Sequence, residues 1–87
     1  MDRWLKLLLI EYFSGKKTII DDQILHALNL CKSDLTVQIV FHYFKGGSYK
    51  CADSEFNISQ ATYYNHINRF KKIVEILIKK EVKFNVQ

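Results

Sequence analysis

Eighty-seven residues make one domain, near the lower limit for a chain that folds without disulfide or metal staples. A hydrophobic share of 48%, no proline and three glycines exclude a disordered chain and favour a helical one with few turns. The net charge of +4 lies wholly in residues 45–87, where seven lysines and Arg69 face Asp53, Glu55, Glu75 and Glu81, while residues 1–44 balance; a basic half of this kind attracts phosphate or is simply solvated.

In chain order, the first expected element is a helix with Trp4, Leu5, Leu8, Leu9 and Tyr12 at helical spacing. Asp2 can cap it, and Leu7, Ile10 and Phe13 widen its apolar surface so that it is expected to be buried on more than one side. Ser14-Gly15-Lys16-Lys17 stops it, with a glycine past the end and lysines near the negative terminus. A second helix is expected from about Ile20 to Leu30, its apolar residues being Ile20, Ile24, Leu25 and Leu28, with Asp21 and Asp22 in the favourable first turn. Ser33 can cap a third, "DLTVQIVFHYFK", ended by Gly46-Gly47. Val37, Ile39, Phe41 and Tyr43 also alternate as in a strand; the cap, the length and the glycine stop favour helix. A short helix around Tyr49 to Glu55 follows. The longest element starts after Ser59 and runs to about Lys80, with Tyr63, Ile67, Phe70, Val74 and Leu77 forming a seam that can pack on a partner helix. The tail alternates Val82, Phe84 and Val86, as a short strand or an extended arm would.

The stretch "FNISQATYYNHINRFKK", residues 56–72, has the chemistry of a DNA-reading helix-turn-helix. Phe56 ends one helix, Asn57 tolerates a left-handed backbone, Ile58 is an apolar residue in the turn, and Ser59 can cap the next helix. Tyr63, Ile67 and Phe70 can then face inward, leaving Gln60, Thr62, Tyr64, Asn65, Asn68 and Arg69 on or near the outside. Glutamine, asparagine and arginine match base edges in the major groove. The hydroxyls of Ser59, Thr62 and Tyr64 and the ammoniums of Lys71 and Lys72 suit phosphates, and no carboxylate interrupts this face before Glu75.

The same stretch resembles the helix-turn-helix domains of the LuxR and sigma-factor region-4 type, over roughly residues 35–74. Their second helix begins with serine, two variable residues, threonine and an apolar position, which Ile58, Ser59, Thr62, Tyr63, Asn65, His66 and Ile67 match in "ISQATYYNHI". The resemblance makes Gln60, Thr62, Tyr64, Asn65 and Arg69 the groove-facing candidates. Tyr64 stands where the family usually has a basic residue, and Asp53 where it has a small alanine.

Other chemistries find no pattern. His26, His42 and His66 with Cys31 and Cys51 lack zinc spacing, so no metal or cofactor is expected, and the cysteines read as reduced thiols of a cytoplasmic protein. No nucleophile–base pair or glycine-rich phosphate loop is recognisable, so an enzyme is not expected. No run reaches the roughly 18 apolar residues of a membrane span. The expected fold is mainly α, a single helical domain with a helix-turn-helix at about residues 48–72 and a long C-terminal helix. The expected function is sequence-specific binding of double-stranded DNA by a small transcriptional regulator, a repressor of phage or mobile-element type. The broad apolar faces suggest a homodimer. The alternatives are an adaptor docking on a protein such as a polymerase component, or a DNA-binding accessory in replication or packaging.

Overall fold

The computed structural model describes residues 3–31, 34–47, 49–50 and 56–81, and these are helical apart from short connections, with no strand among them. Four helices lie within them: α1 (Arg3–Phe13), α2 (Asp21–Leu30), α3 (Asp34–Phe44) and α4 (Gln60–Glu81). Asp2 and Ser33 as caps, residues 51–55 of the short helix expected around Tyr49 to Glu55, and the strand or arm expected at 82–87 lie outside the described residues.

The helix stops follow from backbone chemistry. After α1, Gly15 takes φ +94°; its N–H donates to the Tyr12 carbonyl at 3.0 Å, and the Lys16 N–H donates to the Glu11 carbonyl at 2.9 Å. That pair of bonds satisfies carbonyls the helix end would otherwise orphan. α3 closes in the same way, with Gly46 at φ +98° and the Gly47 N–H donating to the His42 carbonyl at 2.9 Å. The second glycine is needed for space, because a Cβ at Gly47 would stand 2.6 Å from the His42 carbonyl oxygen. α2 starts differently from a simple serine cap: the Asp21 carboxylate accepts from the Thr18 N–H at 2.8 Å and from the Thr18 hydroxyl at 2.6 Å. The Thr18 oxygen in turn accepts from the Ile20 N–H.

Residues 34–44 form a helix rather than a strand. Thr36, Ile39, Val40 and Phe44 are buried, a spacing of three to four, and the alternating Val37 and Phe41 fall on its outer side. α4 is the centre of the domain, packing on α2 and α3 while α1 packs on α3. The expected seam is the core seam: Tyr63, Ile67, Phe70 and Val74 are fully buried and Leu77 nearly so, joined by Ile78. Phe13 ties three helices together, stacking on Phe44 at 5.6 Å with nearly parallel rings and meeting Phe70 at 6.2 Å.

Two expected faces are corrected. α1 is buried on one side only, through Leu5, Leu9 and Phe13, whereas Trp4, Leu7 and Ile10 are exposed. On α2, Leu25 points to solvent at 52% exposure, while the expected Ile20 and Ile24 are buried and Gln23 and Ala27 join them.

Three cross-helix hydrogen bonds then fix α4 along its length, one for each histidine. His42 Nδ1 and the Tyr63 hydroxyl are 2.9 Å apart, and Thr36 Oγ1 and His66 Nδ1 are 2.8 Å apart, near the start of α4. At its far end, His26 Nδ1 lies 2.7 Å from Glu81 Oε2. No described helix is long and apolar enough to cross a membrane.

Candidate nucleic-acid interface

The turn leading into α4 has the backbone its residues call for. Phe56 is helical and partly buried, its ring edge-on to His42 at 5.6 Å. Asn57 adopts φ +54°, the left-handed conformation asparagine tolerates best after glycine. Ile58 is partly buried against the core, and the Tyr49 hydroxyl donates to its carbonyl at 3.3 Å. Ser59 caps the helix: its Oγ accepts from the Thr62 N–H at 3.1 Å, and its carbonyl accepts from the Tyr63 N–H at 2.9 Å.

With the seam facing inward, 100° per residue puts Asn65, Arg69 and Lys72 on the opposite side of α4, with Ala61 and Asn68 beside them. Gln60, Asn65, Asn68, Arg69 and Lys72 are all exposed. The remaining candidates occupy the rims. Thr62 is half-buried and engaged in the cap, where its Oγ1 accepts from the Ser59 hydroxyl at 2.9 Å. Tyr64, at 36% exposure, lies edge-on to Tyr43 at 6.1 Å. Lys71 does not extend freely from the outer face; its Nζ sits 5.7 Å from the centre of the Tyr43 ring.

The sequence reading missed the other half of that rim. Lys6 of α1 places its Nζ 5.9 Å from the same Tyr43 ring, so two ammoniums from different helices converge on one aromatic side chain beside Tyr64. The only sequence signal was a lysine interrupting an otherwise apolar run, which does not say what it will face. The basic surface therefore continues from α4 onto α1.

On the opposite rim, Arg69 acts electrostatically on two neighbours. Burial and the Arg69 charge both hold the His66 pKa below its ordinary 6.5. Burial pushes the Cys31 thiol up, with Arg69 opposing it. The His66 shift has a definite sign. The unfolded chain takes up a proton near 6.5 that the folded one resists, so this contribution to stability is complete above that pH. It is lost as pH falls from about 6.5 towards the depressed folded value, and levels off below it. Urea midpoints measured from pH 7.5 to 5 should fall, and His66→Gln should flatten that part of the curve. An unchanged slope in the variant would assign the pH dependence elsewhere.

Among the described residues, no group of three His, Cys, Asp or Glu side chains is placed to hold a metal ion. The chain matches no protein family, no curated protein and no solved structure. The site is therefore described by its geometry alone.

Proposed function

We propose that the protein binds double-stranded DNA, laying the first turns of α4 in the major groove. The observation that carries this reading is the two-sidedness of α4 after its capped turn. The inner seam is wholly apolar apart from the Tyr63 hydroxyl, and the outer face presents Asn65, Asn68, Arg69 and Lys72, with Gln60 exposed at the start of the helix. Asparagine, glutamine and arginine carry the paired donors and acceptors that distinguish base edges. The positive end of the α4 dipole, with Ser59 and Thr62, points to where a phosphate would lie, and Tyr64, Lys71 and Lys6 line the next stretch of backbone. The outcome in the cell would be transcriptional control by occupancy of a promoter, in the manner of a small phage-type repressor.

The test is selection of bound sequences from random duplex DNA at two salt concentrations. An enriched motif is expected, together with an affinity falling with salt on a log–log slope of about −3 to −4, as four phosphate contacts would give. Retention that is salt-sensitive but enriches no sequence would reduce the site to a basic patch and refute base reading.

A further inference from the structure

We infer that the outer face of α1 is a self-pairing surface, on which a second copy of this chain packs antiparallel about a two-fold axis at Leu7. Trp4, Leu7 and Ile10 are 45%, 55% and 36% exposed, a large apolar stripe for so short a helix to leave in water. Arg3 and Glu11 are exposed on the same side, and neither has an ion-pair partner among the described residues. Arg3, Leu7 and Glu11 form one row, at successive spacings of four.

The occupant follows from how these residues are ordered. Leu7 is the midpoint of the row, with Arg3 and Glu11 equidistant on either side and Trp4 and Ile10 likewise. An antiparallel copy whose i±4 ridges interdigitate therefore brings each Arg3 to Glu11 of the second copy and Leu7 against Leu7, with Trp4 and Ile10 covering the two flanks, the self-complementarity a two-fold interface requires. A parallel copy would oppose arginine to arginine and glutamate to glutamate. Antiparallel helix dipoles favour the same choice, because Arg3 meets the negative end of the second helix. Lys6 lies about 100° around α1 from Leu7, next to Ile10 and on the side of Tyr43, so the paired face borders the basic surface. The inference does not depend on DNA being the ligand.

The experiment is sedimentation equilibrium of the full chain across a range of concentration, read together with the emission of Trp4, the sole tryptophan. Dimer mass and a blue shift of Trp4 should rise together. R3E or E11R alone should weaken pairing about tenfold, since each turns two surface ion pairs into repulsions. Combining them in one chain should restore affinity to within about threefold of the parent. Mixing the two single variants should also restore pairing, as a heterodimer of one acidic and one basic face. These positions are exposed, so circular dichroism should show unchanged folding; as a second readout, Leu7→Cys in a Cys31→Ser, Cys51→Ser background should crosslink to itself under mild oxidation. A chain that stays monomeric, or charge swaps that fail to rescue, would overturn the inference and assign the stripe to a different partner or to none. Loss of pairing with sequence-selective DNA binding intact would leave the proposed function standing.

Discussion

Arg69→Glu should lower affinity for the selected duplex by about 100-fold or more, the largest single effect expected on the outer face of α4. The substitution removes a side chain able to pair with a guanine edge, worth about 1–3 kcal/mol, and adds repulsion from the phosphates around it. Arg69 is exposed and stands off the core seam, so the fold should hold within about 0.5 kcal/mol. Neighbouring positions should separate by mechanism. Asn65→Ala should relax selectivity at one base pair, whereas Lys72→Ala and Lys6→Ala should weaken all sequences alike and each reduce the salt slope by about one. Lys6 is the sharper geometric test, because it belongs to α1 and meets the α4 surface at the Tyr43 ring. Filter-binding or anisotropy titrations on selected and scrambled duplexes would decide. Equal affinity for Arg69→Glu and the parent would end the case for α4 as a reading helix.

Phe70→Ala should cost about 3–5 kcal/mol of stability. Phe70 is completely buried in the seam and meets Phe13, which itself stacks on Phe44, so the truncation opens a cavity where α1, α3 and α4 converge. A chain of this length has a total stability of about 4–13 kcal/mol, so a large part of the molecules could unfold at room temperature. Ile76→Ala is the control on the same helix: Ile76 is 46% exposed, and its loss should stay within about 0.5 kcal/mol. Urea unfolding followed by far-ultraviolet circular dichroism measures both. Similar midpoints for the two variants would mean the seam is not the core.

How much of this was legible in the sequence depends on the kind of interaction. The α4 seam, the left-handed Asn57 and the Ser59 cap are local properties, written into spacing and side-chain chemistry, and they appear as expected. The glycine stops were legible for the same reason. The strand-like alternation in α3 competed with the helix that its length and glycine stop favoured, and the helix is what forms, because β-branched and aromatic residues fill a buried helix face equally well. Trp4 and Leu25 were misplaced because periodicity identifies an apolar arc without saying which part of it meets another helix. On α2 that part is Gln23, Ile24 and Ala27, on the helix that packs against α4. Lys6 and Lys71 over Tyr43, and the histidine bonds, join residues far apart in the chain, and no local pattern carries them.

The histidine ties have a thermodynamic consequence for ligand binding. Two lie near the start of α4 and one at its end, so the helix is held against both rotation and axial sliding before any ligand arrives. A surface already ordered in the free protein gives up little conformational entropy on association. Its heat-capacity change on binding should therefore track the area of contact alone, without the large excess that accompanies folding coupled to binding. The same rigidity makes the angular setting of α4 a property of the core, so repacking the inner seam would redirect the side chains on the opposite face without touching any of them.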